Sequence, residues 1–272
     1  MIQVNNLSGQ LGNRLMRLNN GLQLSKKHSK TVKLKGRDAV TNDVFKYFDF
    51  NLGSYPNKGS NILIETGDMG RLFYKNKYDP KDLIKLKSQY KYKFNNGKTN
   101  IAIHLRYYPI NNKKDREFLN NEKILEEYYI NSIKYCLEKF DNCNFIIFGA
   151  ISRNQFNWDT SKELLTAYIT KFKFYKRMIS YLKNNKISFD YSLTINNSKR
   201  KYVEDFFQMC DCDVIISSHS TFCICAGYLE KPKKIIHNKT FVDYFVKNKD
   251  IFWRDLVKNK DNEYYNIWKL IK

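Results

Sequence analysis

Short apolar runs alternate with longer amphipathic segments along the whole chain. The runs have the length of β-strands and end at glycine or at polar residues, whereas the segments between them carry apolar residues at helical spacing. Strands that are separated by helices form parallel sheets, because a parallel connection needs a crossover long enough to hold a helix. The pattern therefore predicts an α/β protein.

The apolar runs place the predicted strands at 2–4, 31–34, 62–64, 101–106, 144–149, 189–193, 213–217 and 234–236. Helices are predicted at 15–24, 80–89, 122–140, 160–183, 199–209 and 264–271. One more helix is predicted to begin within 218–222 and to run through residue 229. The polar, turn-prone segment Asn95–Lys98 lies just before the central run and predicts a linker. It divides the 272 residues into 1–97 and 98–272, and such a length is sufficient for two domains.

The charge of the chain favours anionic partners. Lys and Arg number 48 against 27 Asp and Glu, which gives a formal net charge of +21. Nucleic acid, an acidic membrane surface and a phosphorylated substrate all fit such a field. We find neither a secretory signal pattern nor an apolar run long enough to span a bilayer. We therefore expect a cytoplasmic protein, with peripheral association with an anionic membrane as an option.

Cysteine spacing raises one metal hypothesis. The pairs Cys210/Cys212 and Cys223/Cys225 are as closely spaced as some zinc ligands. The chain has no histidine at zinc-finger spacing, so small apolar side chains flanking a buried strand explain the pairs better. We expect free thiols and no metal.

Candidate chemistry lies in three places where a strand gives way to a helix or loop: Gly9–Arg14, His104–Arg106 and Ser217–Phe222. Ligands of open α/β sheets bind at the carboxyl ends of strands. Glycines, helix-start amides and hydroxyls suit a phosphate group, and the planar fork of an arginine can bond two of its oxygens. Taken singly, each place also fits an ordinary salt bridge or a helix cap.

Together the three places resemble the α-1,2-fucosyltransferase family and its α-1,6 relatives. That family carries a G-L-G-N-Q/R turn, an H-x-R-R-x-D motif, and a block that opens with Glu-Asp and ends with Ser-Thr/Ser-Phe. The matching segments here are Leu11-Gly12-Asn13-Arg14, His104-Leu105-Arg106, Glu204-Asp205-Phe206 and Ser220-Thr221-Phe222. They occur in the family's order, and the resemblance extends over most of the chain.

The resemblance implies a GT-B fold, in which two Rossmann-like lobes face a cleft. The lobe 1–97 would face the acceptor and the lobe 98–272 would hold the donor. It also implies inverting transfer of fucose from GDP-fucose to a hydroxyl of a glycan, without a cofactor or a required metal. By this match Arg106 binds the donor diphosphate and His104 shapes the same site. The matched donor-binding positions are Gly12, Asn13, Arg14, Asp205, Ser220, Thr221 and Phe222.

The chain departs from the family pattern next to these positions. Tyr107 replaces the second arginine of the motif, Pro109 replaces its closing acidic residue, and Ile224 and Cys225 replace an aromatic pair. The strand at 145–148 is followed by Gly149-Ala150-Ile151 instead of Ser-Asp-Asp. Another GDP-sugar or nucleotide sugar is therefore an alternative donor.

Two further questions stay open at the level of sequence. The general base of the transfer could be Asp68, Asp115, Glu117 or His219, and none of them lies in a motif. A basic nucleic-acid-binding protein is the alternative from a different class, since lysines and tyrosines are interleaved at 87–93. The chain has no recognisable nucleic-acid-binding module, so the transferase is the favoured interpretation.

Overall fold

The computed structural model describes residues 2–4, 11–34, 39–51, 62–64, 80–106, 113–149, 173–196, 202–218, 220–230, 234–248 and 268–272. Helices and strands alternate through these ranges and most of the strands form two parallel sheets, which confirms the α/β prediction. None of the described helices is long and apolar enough to cross a membrane.

The first sheet belongs to the N-terminal part of the chain. Its strands are β1 (Ile2–Val4), β2 (Val32–Leu34) and β4 (Ile62–Ile64), in the order β2-β1-β4 and parallel throughout. The helix α1 (Leu11–His28) follows β1 and is buried along most of its length. These strands and this helix were predicted, although α1 begins four residues earlier than its predicted start at residue 15.

A small antiparallel pair follows in the chain. The helix α2 (Ala39–Tyr47) leads into β3 (Phe48–Phe50), which pairs with β5 (Ile84–Leu86). Between them the helix α3 (Pro80–Leu83) begins at proline, as predicted, but the predicted helix to residue 89 is wrong. Ile84 and Leu86 are buried against the core and Lys85 is exposed, so pairing with β3 overrides the helical tendency. A 3₁₀ turn, Ser88–Tyr90, comes next.

The second sheet is the larger one. Its strands are β6 (Thr99–His104), β7 (Cys143–Phe148), β8 (Phe189–Tyr191), β9 (Val214–Ile216), β10 (Lys234–Asn238) and β11 (Trp268–Ile271). Their order is β11-β10-β9-β6-β7-β8 and every pair is parallel. The pairing of β11 with β10 shows that the helix predicted at 264–271 is wrong over 268–271, because edge pairing satisfies the backbone there. Residues 264–267 lie outside the described ranges.

Helices cover both faces of this sheet. They are α4 (Lys113–Leu119), α5 (Glu122–Lys139), α6 (Lys173–Asn184), α7 (Leu193–Asn196), α8 (Tyr202–Cys210), α9 (Thr221–Leu229) and α10 (Lys239–Lys247). The helices predicted at 122–140 and 199–209 correspond to α5 and α8. The predicted 160–183 helix is observed as α6 from residue 173, and its earlier part lies outside the described residues.

The alternation of side chains along the strands produces two hydrophobic cores. Ala102 and Ile146 point to one core, whereas Ile101, Ile103 and Phe145 point to the other. The first core also takes in α1, α8 and α9, so it joins residues before and after the predicted boundary at 97/98. The predicted linker forms a bend with Gly97 at φ 63°, and the domain division itself stays a prediction.

Candidate functional site

The order of the strands marks one edge of the large sheet. From β6 the chain proceeds through β7 to β8 on one side, then returns to β9 and continues through β10 to β11 on the other. The direction of winding therefore reverses between β6 and β9. A reversal of this kind opens a crevice outside the carboxyl ends of the two strands, where open α/β proteins bind ligands. His104 ends β6, and Ser217 follows β9.

Two short hydrogen bonds connect the segments on either side of this crevice. His104 Nδ1 lies 2.6 Å from the hydroxyl of Ser218, and an Arg106 guanidinium nitrogen donates to the hydroxyl of Ser220 at 2.6 Å. Residues 114 positions apart in the sequence are thereby held side by side. The structure thus brings together the second and third of the predicted places.

Ser220 is also the N-cap of α9. Its hydroxyl accepts from the backbone N–H of Phe222 at 3.3 Å as well as from Arg106. Because the hydroxyl oxygen already accepts two hydrogen bonds, its own proton can be donated to a third group. The start of α9 therefore offers a hydroxyl donor and helix-start amides beside a guanidinium, which is a suitable environment for an anion.

The first predicted place joins the other two through the start of α1. Thr221 donates its hydroxyl proton to Asn13 Oδ1 at 2.6 Å, and the Cys225 thiol donates to the carbonyl of Gly12 at 3.4 Å. A Cβ atom added at Gly12 would lie 2.4 Å from the backbone nitrogen of Phe222. Only glycine permits this approach. We call the meeting of the α1 and α9 starts beside Arg106 the junction.

His104 is neutral in the junction. Burial lowers the pKa of its imidazole to about 3, and the neighbouring Arg106 guanidinium acts in the same direction. Its ring stacks on that of Phe222, with centroids 5.7 Å apart, and Phe222 meets Phe206 edge-on. His104 therefore contributes hydrogen bonding and shape, while Arg106 carries the positive charge of the pair.

Arg14 and Asp205, which were predicted to bind the donor, interact with residues other than those of the junction. Arg14 is buried on α1, where its charge acts on Tyr202 and Arg17. The Asp205 carboxylate accepts from the backbone N–H of Thr194 at 3.0 Å and so caps α7. Burial raises the pKa of Asp205 to about 6, against the opposing effect of its hydrogen bonds. No contact between Asp205 and the junction is observed among the described residues.

Two tyrosines hold the backbone of the strands that lead into the junction. The sequence did not single them out as site residues. The Tyr129 hydroxyl donates to the carbonyl of His104 at 2.8 Å, and the Tyr128 hydroxyl lies 2.8 Å from the Ser217 carbonyl and 2.7 Å from that of Ile236. Both rings are buried on α5. They fix the carboxyl ends of β6, β9 and β10, where the site residues begin. Their sequence pattern is that of ordinary core positions on an amphipathic helix.

The two described candidates for a general base, Asp115 and Glu117, have partners outside the junction. Asp115 accepts from the Tyr244 hydroxyl and Glu117 lies 3.9 Å from Lys113 on an exposed face. Asp68 and His219 lie outside the described residues, as do Tyr107 and Pro109.

All six cysteines are free thiols, and most of them are buried, as expected for small apolar side chains. Cys212, Cys223 and Cys225 donate to backbone carbonyls. Burial raises the pKa of the Cys225 thiol well above its usual value. Over the described ranges, no cluster of three His, Cys, Asp or Glu side chains has the arrangement of a metal site.

Comparison with known proteins gives structural similarity only. No protein-family model matches the sequence, and no curated protein matches it. The fucosyltransferase NodZ from Bradyrhizobium aligns with a TM-score of 0.47 at 11% identity, over 84% of this chain and 93% of that chain. The NodZ alpha-1,6-fucosyltransferase co-crystallized with GDP aligns with a TM-score of 0.49 at 11% identity, over 88% and 95%. The same enzyme soaked with GDP-fucose gives 0.45 at 12% identity, over 88% and 94%. These values are too low to assign the chain to a family.

Proposed function

We propose that this chain is a glycosyltransferase that moves a fucosyl group from GDP-fucose to a hydroxyl of a glycan. The proposal places it in the fucosyltransferase superfamily as a whole, and analysis of the product would separate α-1,2 from α-1,6 linkage. The motif resemblance supports this assignment, because its segments come from three distant parts of the chain and meet at one site. The Gly12 turn, the His104–Arg106 motif and the Ser220–Phe222 end of the third segment all lie there. The single observation that carries the proposal is the contact of the Arg106 guanidinium with Ser220 at the N-cap of α9, at the place where the winding reverses between β6 and β9.

The junction is suited to a nucleoside diphosphate in particular. Arg106 supplies a guanidinium, and the α9 start supplies the Ser220 hydroxyl together with its amides. The helix dipole adds partial positive charge at the same point. Charge that develops on a leaving diphosphate would be stabilised by all three. An imidazole kept neutral beside Arg106 leaves that arginine as the main cation for the phosphates.

The reaction follows from this placement. The bond between the anomeric carbon of the sugar and the β-phosphate oxygen breaks, and its electron pair stays on the diphosphate. The acceptor hydroxyl bonds to the anomeric carbon from the opposite face and loses its proton to a general base. Arg106 and the α9 start act mainly in the transition state, since the negative charge on the leaving group is largest as that bond breaks.

Arg106→Ala tests this role. We expect GDP release with GDP-fucose and acceptor to fall by about 100- to 1,000-fold, the usual effect of removing one such donor. Arg106→Lys should recover part of the loss, because lysine keeps the charge but not the planar fork. Arg177→Ala is the matched control: Arg177 is paired with Glu122 and Glu126 on the surface, and its loss should leave the rate unchanged. Equal rates for Arg106→Ala and wild type would contradict the role.

Screening the ligand identifies the donor. GDP-fucose, other GDP-sugars and UDP-sugars would be compared for turnover, with free GDP as the product measured. Turnover of a different GDP-sugar would keep the transferase and change its donor. Salt-sensitive binding to DNA or RNA, with neither turnover nor any effect of GDP on melting, would instead favour a nucleic-acid-binding protein.

A further inference from the structure

A concave site lies apart from the junction, between α2 and the 3₁₀ turn on one side and α7 and α8 on the other. Its cavity has a volume of about 260 Å³ and is open to solvent. Tyr47, Tyr90 and Phe207 form its aromatic part, and Gln89, Lys91 and Glu204 provide polar groups. The side formed by α2 and the 3₁₀ turn comes from the N-terminal part of the chain, and the side formed by α7 and α8 comes from the C-terminal part.

The three rings form a compact cluster. Tyr90 stacks on Phe207 with centroids 5.8 Å apart and an interplanar angle of 27°. Tyr47 meets Tyr90 edge-on at 4.8 Å and Phe207 at 5.2 Å. Tyr90 is partly exposed, whereas Tyr47 and Phe207 are buried. Packing against Tyr47 and Phe207 fixes the ring of Tyr90, which is the partly exposed ring of the three and presents a rigid aromatic surface to the cavity.

Charges of both signs surround the rings. The Lys91 ammonium lies 2.9 Å from the carboxylate of Glu230, and the Lys46 ammonium lies 5.1 Å from the centre of the Tyr47 ring. Glu204 adds a carboxylate to the lining and Gln89 an amide. Donors and acceptors therefore stand side by side around an aromatic surface. A ligand with many hydroxyl groups can use both kinds, because each hydroxyl donates and accepts.

We propose that this cavity binds a neutral saccharide. The apolar C–H face of a sugar ring would lie on the aromatic surface, and its hydroxyls would reach Gln89 and Glu204. A phosphate would find Lys91 already paired with a carboxylate and Lys46 already lying over the Tyr47 ring, and a purely apolar ligand would remove water from the Gln89 amide without replacing its hydrogen bonds.

The position of the cavity suggests which part of a substrate it would hold. Phe207 lines it, and the preceding residue, Phe206, contacts Phe222 in the junction at 5.2 Å. The same helix, α8, therefore contributes one aromatic residue to each of the two sites. On the basis of the proposed function, the bound saccharide is a part of the acceptor that lies away from the reacting hydroxyl.

Exposed residues on the 3₁₀ turn allow a clean test. Gln89 lines the cavity, whereas the adjacent Ser88 is also exposed but does not line it. Gln89→Trp should fill the cavity, and Ser88→Trp adds the same side chain outside it. Binding of galactose, glucose, mannose, N-acetylglucosamine and their β-linked disaccharides would be measured by saturation-transfer difference NMR, with unfolding temperatures to verify folding.

We expect at least one of these sugars to bind wild type and Ser88→Trp and to lose its signal by at least fivefold in Gln89→Trp. The proposal is overturned if no sugar in the panel binds, if Gln89→Trp binds as well as wild type, or if both variants lose binding equally. Stabilisation of the same samples by GDP is measured in parallel. If GDP has no effect on wild type while the sugar result holds, the proposed function fails and the saccharide site stands.

Discussion

The junction and the aromatic cavity both lie where the N-terminal part of the chain meets the C-terminal part, yet they are built differently. The junction depends on close backbone approach, with Gly12 against Phe222, and on the Arg106 guanidinium beside the start of α9. The cavity depends on side chains, with rings at the centre and paired charges around them. This difference is the basis for our proposals that the junction binds an anion and the cavity a neutral polar ligand.

A methyl group inserted between α1 and α9 at the junction should have the largest effect on stability. Gly12→Ala places a methyl group 2.4 Å from a backbone nitrogen, so α1 and α9 must separate, at a cost of about 3 kcal/mol in the free energy of unfolding. Urea titration measures this cost. Loss of GDP-dependent stabilisation should accompany it, while saccharide binding in the cavity persists.

Gly227→Ala is a matched control, since its new methyl group would also lie 2.4 Å from an atom, but that atom is the side-chain end Cδ1 of Ile235. An isoleucine side chain can move, whereas the backbone at Phe222 cannot move without displacing a helix. A cost for Gly227→Ala equal to that for Gly12→Ala would show that the junction is not specially sensitive to its spacing.

Acid should weaken the fold through His104. Its pKa is about 3 in the folded protein and near 6.5 when unfolded, so the unfolded chain takes up a proton first as the pH falls. The stability that neutral His104 contributes is complete above pH 6.5 and is lost between pH 6.5 and 3. Between pH 7 and 5 the loss is about 2 kcal/mol. His104→Gln should reduce the slope of unfolding free energy against pH in that window. An unchanged slope would mean that His104 is not held neutral.

Removing one hydroxyl below the junction should have a somewhat smaller effect. Tyr129→Phe leaves the buried carbonyl of His104 without its side-chain donor and should cost about 1–2 kcal/mol. If Tyr129 positions Arg106, the variant should also lower the turnover number for GDP release with little change in the Michaelis constant for the donor. A stability loss with unaltered kinetics would make Tyr129 a purely structural residue.

The smallest effect is expected at Asp205, with the opposite dependence on pH. Its pKa is raised to about 6, so its stabilising contribution is present below the unfolded value of 3.8 and is lost as the pH rises through about 6. Asp205→Asn keeps an acceptor for Thr194 and stays neutral. It should therefore gain on wild type by about 1 kcal/mol between pH 4 and 5. GDP stabilisation should be unaffected, and its loss would return Asp205 to the donor site.

The fold was predictable where a segment's own pattern decides its structure. Buried strands such as 101–106 and 144–149 read as apolar runs, and the strand and helix predictions around them were close. The errors at 84–89 and 268–271 arose where a distant strand supplies the hydrogen bonds: β3 pairs with β5, and β10 pairs with β11. Local sequence has no information about such a partner.

The candidate site shows the same division. Gly12, His104, Arg106 and Ser220 were singled out because polar residues or glycine at strand and helix ends are conspicuous, and because they fit a motif. Asp205 fits the same motif but caps α7 instead. The cavity was missed, since Tyr47, Tyr90 and Phe207 read as core aromatic residues until packing reveals the space between them.

Thermal unfolding with and without GDP tests the central claim most directly. At a GDP concentration 100 times its dissociation constant, a specific site adds about 2.7 kcal/mol of stability. We predict a clear rise in the unfolding temperature for wild type, Arg177→Ala and Gln89→Trp, and little or none for Arg106→Ala. The same rise in Arg106→Ala as in wild type, or no rise in wild type, would contradict the assignment of the junction to a nucleoside diphosphate.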